Sequence, residues 1–227
     1  MKTKEQDISD SLKVFCVGSH KTGTSSIHHF FKRSGLTSKH GSSWVSWCNS
    51  SRAHLLDQYQ CFSDGKNPPI ESLYERYPHA KFIYTSRDLR SWLISRHMHK
   101  RRNKRRLGFY FLILLGIKNR GGQQYHDEVV KTWPEQYFAH EKRVMEFFKD
   151  KPERLLVIDL TKNTPEKNSR QIHDFLGLPG EPQEFPHKNN SPDSMRESSV
   201  RAVDRVMKQM GISDKESIGS IAFSKKG

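Results

Sequence analysis

A chain of 227 residues with 33% hydrophobic content has enough apolar material for one sizeable core and is short for two independent domains. Its 39 Lys and Arg against 25 Asp and Glu leave a net charge of +14, which points to anionic ligands, polyanions or acidic membrane surfaces. The three cysteines, Cys16, Cys48 and Cys61, are odd in number and lack C-x-x-C spacing, which argues against a disulfide framework or cysteine zinc cluster and predicts a reducing, cytoplasmic setting.

The polar opening MKTKEQDISDSLK has no apolar core and predicts no signal peptide. The run Val14-Phe15-Cys16-Val17 is apolar without alternation, as buried parallel strands are. It leads directly into Gly18-Ser19-His20-Lys21-Thr22-Gly23-Thr24-Ser25-Ser26, which has the glycine-to-glycine spacing of a Walker A loop. Glycines let successive N–H groups point inward, and the following helix adds its positive N-terminus, so the turn is a candidate anion cradle. The lysine stands early, at Lys21, where a Walker A loop has Lys after its second glycine, and this disfavours an ordinary nucleotide kinase. Ile27, Phe30 and Phe31 then follow helical spacing up to a stop at Arg33-Ser34-Gly35.

His40 follows in the polar segment GLTSKHGSSW, and Asp64 in QCFSDGKNPP comes just after a short strand-like run. A second buried strand, Phe82-Ile83-Tyr84, ends in Ser86-Arg87-Asp88 ahead of a helix carrying Trp92, Ile94 and Ser95. Arg87 therefore sits at a carboxyl edge, where α/β ligands bind, and its planar fork suits an oxyanion. Taken alone, Arg87 with Asp88 reads equally well as a helix-capping salt bridge.

From Arg96 to Arg106 there are seven Lys or Arg and no acid, followed by the apolar LGFYFLILLGI, which is too short to span a bilayer. Together they read as a basic and apolar helical insertion at about 96–122. It favours an anionic acceptor, with contact to an acidic membrane surface or a homodimer interface as further readings. Between Gln123 and Asp150 a long helical pattern carries Trp133, Tyr137, Val144, Phe147 and Phe148, with a break or kink expected at Pro134. A third strand, Leu155-Leu156-Val157-Ile158, ends in Asp159, and Ile172, Phe175 and Leu176 mark a helix stopped by Gly177-Leu178-Pro179. A loop from Pro179 to Asn190 and a helix over about Glu197–Met210 complete the chain. Strand then helix, repeated, predicts an α/β fold in a single domain over 1–227.

The segments VGSHKTGTSS and KFIYTSRDLRSWLIS together resemble the two donor-binding segments of the P-loop sulfotransferases, closest to their short, mostly microbial members. The resemblance continues through YERYPHAKFIYTSRD, ERLLVIDL, HDFLGLP and FPHKNNS, covering roughly Val14 to Ser191. It implies a three-layer, mostly parallel sheet flanked by helices, and an enzyme that moves a sulfuryl group from 3′-phosphoadenosine 5′-phosphosulfate (PAPS) to an acceptor hydroxyl or amine without a metal. It also implies that Lys21, Thr22, Gly23, Thr24, Ser25 and Ser26, with Ser19 and His20 in the same turn, hold the 5′-phosphosulfate. Arg87 and Ser95 would hold the 3′-phosphate, and Lys188 and Asn189 would cover the nucleotide. Lys21 would in addition neutralise the bridging oxygen. The late Arg-Lys-Gly stretch of the cytosolic members is absent from this sequence.

In-line transfer requires the acceptor to lose a proton, so a base is needed. Asp64 falls where the cytosolic sulfotransferases carry their catalytic histidine and ranks first. His40, near where the heparan sulfate sulfotransferases place a glutamate, ranks second. The plain alternatives are a turn aspartate before Gly65 and a solvated histidine. His28 and His29 on the first helix are expected either at the surface or just behind the residues that touch the ligand. Two rival functions remain: an ATP- and magnesium-dependent phosphotransferase, with Asp159 as metal ligand, and a nucleic-acid module built on the basic tract, which no nucleic-acid motif accompanies. Within the sulfotransferase reading, saccharide, lipid, phenol and small metabolite all stay open as acceptors.

Overall fold

A computed structural model describes residues 12–107, 122–186 and 193–212. These group into two compact units, the chain passing from one to the other after Arg87, after Ala139 and again between residues 186 and 193. The first holds a five-stranded sheet of β1 (Val14–Cys16), β2 (Ser38–His40), β3 (Cys61–Ser63), β4 (Lys81–Ser86) and β5 (Leu155–Asp159). Strand order is β2-β3-β1-β4-β5, and every pairing is parallel. The three strands legible as apolar runs are β1, β4 and β5. β2, with the sequence SKH, is an edge strand in a segment the sequence presents as polar loop, and its half-buried residues explain the missing apolar signal.

Alternate side chains of the central strands feed two cores, as the period of a strand requires. Val14, Cys16, Cys61, Ile83 and Ile158 pack beneath α1 (Thr24–Arg33) and α5 (Pro165–Leu176), meeting Ile27, Phe30, Phe31, Ile172 and Leu176. Phe15, Val17, Phe62, Phe82 and Tyr84 face the opposite way. They meet Trp44 and Leu56, then Ile70 and Leu73 of α2 (Ile70–Arg76), and Val144 of α4 (Gly122–Phe147) with Phe148 just past its end. This is the expected layered α/β sheet. α1 and α5 both end in paired backbone bonds around a glycine, Leu36 N–H to Phe31 carbonyl and Leu178 N–H to His173 carbonyl, at the stops read from sequence.

In the second unit α3 (Leu89–Leu107), the start of α4 and α6 (Asp193–Met210) share a cluster that includes Leu89, Trp92, Trp133, Tyr137, Val203 and Val206. α4 runs without interruption through Pro134, so the expected break does not occur. Burying Val130, Trp133 and Tyr137, at about 1.5–3 kcal/mol for each large apolar side chain, outweighs the roughly 3 kcal/mol cost of an interior proline. Arg96, first of the basic tract, is a packing residue. Its guanidinium lies 4.9 Å from the Trp92 ring and 4.3 Å from that of Trp133, and burial pushes its pKa down to about 10. Among the described residues no helix is long and apolar enough to cross a membrane.

Candidate active site

Connections leave β1 and β4 in opposite directions across the sheet, one toward β2 and the other toward β5, so the carboxyl ends of these two neighbours form its topological switch point. The turn after β1 lies flush against β4. A side chain at Gly18 would put its first carbon 2.6 Å from both the amide nitrogen and the carbonyl oxygen of Thr85, so only glycine fits. The buried Thr22 hydroxyl donates to the Ser19 carbonyl and accepts from the Thr85 hydroxyl at 2.6 Å, fixing the middle of the turn to the strand. Thr22 is thus engaged by the fold through its side chain, and its N–H is what it can offer an anion.

Lys21 adopts a left-handed backbone (φ 72°), uncommon for a residue with a Cβ, and Gly23 (φ 99°) opens α1 with no side chain capping its first turn. The turn therefore presents a helix N-terminus with Lys21 beside it, the arrangement that favours an oxyanion. At the end of β4, Arg87 donates through Nη1 to the Lys21 carbonyl at 3.2 Å, so its guanidinium faces the turn. Asp88 caps α3 through a bond from the Ser91 N–H to Oδ1 at 2.8 Å. Ser19, His20, Ser25 and Arg87 are half-buried, whereas Thr24 and Ser26 are buried. Ser95 lies half-buried on α3 in the second unit, and Lys188 and Asn189 fall outside the described residues.

The two base candidates belong to one cluster. β2 and β3 pair with His40 opposite Ser63, which places the His40 ring by the Ser63 hydroxyl (Nδ1 to Oγ 2.9 Å) and beside the next residue, Asp64. His40 Nε2 is 3.8 Å from Asp64 Oδ2 and 3.4 Å from the Ser25 hydroxyl, and Thr24 donates to Asp64 Oδ1 at 3.1 Å. Asp64 is itself left-handed (φ 61°), a conformation Asp and Asn tolerate better than most residues. Trp44 holds the strand end from behind, donating its indole N–H to the Ser63 carbonyl at 3.0 Å.

The His28 ring stacks on that of His40 with centroids 5.2 Å apart and bonds the Ser38 hydroxyl at 2.8 Å, so it belongs to the site rather than to the open surface. Burial first, then the neighbouring His40, His29 and Lys32, pushes its pKa down to about 4. Burial also lowers His40, with His29 and Lys21 acting in the same direction and Asp64 against it, which leaves a neutral imidazole at pH 7. Sequence reasoning passed over His140, whose Nε2 meets the Val17 carbonyl at 2.7 Å and braces the end of β1. Its signal was its phase, on the buried stripe of Tyr137 and Val144. Beside it Glu141 is buried, and desolvation pushes its pKa up to about 7.

Asp159 acts as a turn former. Its Oδ1 accepts from the Thr161 N–H (2.9 Å), the Thr161 hydroxyl (2.6 Å) and the Lys162 N–H (3.2 Å), with the Lys162 ammonium 3.7 Å from Oδ2. Among the described residues no group of three or more His, Cys, Asp or Glu is arranged to hold a metal ion.

The family described as the sulfotransferase domain matches residues 13–194, and the chain belongs to it. A search of curated proteins gives no match. Among solved structures the chain is similar to a sulfotransferase from Alicyclobacillus acidocaldarius. The two are 18% identical, the match covers 89% of this chain and 96% of that one, and the TM-score is 0.51, a likeness of fold.

Proposed function

We propose that this sulfotransferase uses PAPS as its donor and transfers the sulfuryl group in line to an acceptor hydroxyl or amine. The observation that carries the reading is the pairing of two cationic oxyanion sites at adjacent strand ends, the Lys21 turn after β1 and Arg87 after β4, in contact through Nη1 and the Lys21 carbonyl at 3.2 Å. A donor with phosphate at both the 5′ and 3′ positions suits two such sites. PAPS supplies the activated sulfur, whose bond to the bridging oxygen breaks as the acceptor oxygen or nitrogen bonds to it. Lys21 and the first N–H groups of α1 hold the 5′ end, Arg87 takes the 3′-phosphate, and Lys21 neutralises charge on the departing oxygen.

Asp64 takes the acceptor's proton, and neutral His40 stands behind it at 3.8 Å, outside hydrogen-bond reach of the carboxylate. The occupied Oδ1 of Asp159 argues against a magnesium ligand there, and with it against an ATP-dependent phosphotransferase. The family match runs through segments of both units, which supports reading the chain as one catalytic domain. The net charge of +14 favours an anionic acceptor.

Calorimetry with 3′-phosphoadenosine 5′-phosphate (PAP), ATP and AMP tests the donor. PAP is expected to bind at least tenfold tighter than either, because each charge-assisted contact at Arg87 is worth about 1.5–3 kcal/mol. Equal affinities, or a magnesium-dependent preference for ATP, would overturn the reading.

A further inference from the structure

Thr24 and Ser25 stand at two junctions. They open α1, where the turn meets its anion, and they are hydrogen-bonded to the base cluster, Thr24 to Asp64 at 3.1 Å and Ser25 to His40 Nε2 at 3.4 Å. A hydroxyl has one proton to donate. The oxygens of a phosphosulfate only accept, so a hydroxyl that turns to hold the donor must withdraw its proton from Asp64.

We propose that Thr24 is a positioning residue that couples donor binding to the base. With no donor bound, its hydroxyl occupies the Asp64 carboxylate. Once the 5′-phosphosulfate claims that hydroxyl, the carboxylate is released to accept the proton of the incoming acceptor. The inference rests on the donor reading above and deepens it, because it makes donor-first binding the productive order and keeps the base engaged until a sulfuryl group is in place. The geometry leaves room for the exchange. The contacts that Thr24 and Ser25 make with the cluster are 3.1 and 3.4 Å, against 2.6 Å for the Thr22–Thr85 bond that fixes the turn.

The exchange leaves a proton signature. Losing a hydrogen-bond donor and gaining an adjacent anion both favour a protonated carboxyl. The other titratable groups around Asp64 are His40 on β2, 3.8 Å away, and beyond it Lys21 in the turn and His28 and His29 on α1. PAP binding is measured calorimetrically at pH 5.5 in two buffers of different ionisation enthalpy, for the wild-type chain and for Asp64→Asn, which keeps a residue at ease with φ 61°. Protons exchanged by PAP itself cancel in the difference. The wild type is expected to take up more protons per nucleotide than Asp64→Asn.

Thr24→Val, which keeps the shape and removes the hydroxyl, is the second arm, and its excess uptake is expected to fall toward that of Asp64→Asn. It decides the matter by itself if Asp64→Asn fails to fold. Tight PAP binding with Thr24→Val taking up as many protons as the wild type overturns the coupling while leaving the donor reading intact. PAP binding no tighter than ATP overturns the donor reading, and the coupling with it.

Discussion

The carboxyl ends of β1 and β4 hold their groups by backbone fit, whereas the ends of β2 and β3 hold theirs by side-chain contacts that can rearrange. In the first region Gly18 lies flush on Thr85, Thr22 is tied to the same strand at 2.6 Å, and the charges of Lys21 and Arg87 are permanent at neutral pH. In the second, a carboxylate, an imidazole and two hydroxyls meet at 3.1 to 3.8 Å, around groups that titrate. A binding cradle gains from rigidity because its anion always carries the same charge. A base must accept and release a proton within each turnover and gains from partners it can exchange.

The largest effect should come from breaking the rigid region. Gly18→Ala would place a methyl group 2.6 Å from the Thr85 backbone, and since neither the turn nor the central strand β4 can give way cheaply, the cost is expected to be roughly 3 kcal/mol or more. Urea unfolding of the variant measures it, with PAP affinity falling in parallel. A variant of near-native stability would mean that the turn and β4 are less tightly fitted than Gly18 requires.

Next come the exchangeable groups, where the effect should fall on rate and leave the fold in place. Asp64→Asn keeps the left-handed turn and removes the base proposed above, so turnover with PAPS should drop by about 10²–10⁴-fold with little change in unfolding temperature. His40→Ala should cost less, because on the proposed reading His40 stands 3.8 Å behind the base and does not itself take the proton. The opposite order, with Asp64→Asn within a few-fold of wild type and His40→Ala inactive, would make the imidazole the base.

The same contrast explains what could be read in the chain. The cradle is local: an apolar strand, a glycine-punctuated turn and a helix follow one another within twenty residues, and β4 with Arg87 repeats the pattern, so the sequence alone places Lys21 and Arg87 at strand ends. The base cluster depends on register. SKH and CFS are three residues each, too short for periodicity, and only their parallel pairing sets His40 opposite Ser63 and next to Asp64. Two residues that look like competing candidates in sequence are neighbours in space. The division after Ala139 leaves no mark either, because the buried stripe of α4 passes through it from Val130 and Tyr137 to Val144 and Phe148.

The smallest expected effect tests whether acid sensitivity belongs to the exchangeable region. His28 stays neutral in the fold down to a pH of about 4, whereas in the unfolded chain it titrates near 6.5. Between those values the unfolded chain binds a proton that the fold refuses, so this group's contribution to stability is intact above about pH 6.5 and declines as pH falls toward 4. His28→Phe keeps a ring against His40 and removes the titration, at the cost of the bond to Ser38 at neutral pH. Unfolding temperatures measured from pH 7 to 4.5 should therefore fall less steeply in the variant. Discounted for solvent screening, the difference is on the order of a few degrees at most. An unchanged slope would place the acid response outside the histidine stack, for instance at His140, which burial also holds below its ordinary value, and would tie it instead to the helix that braces β1.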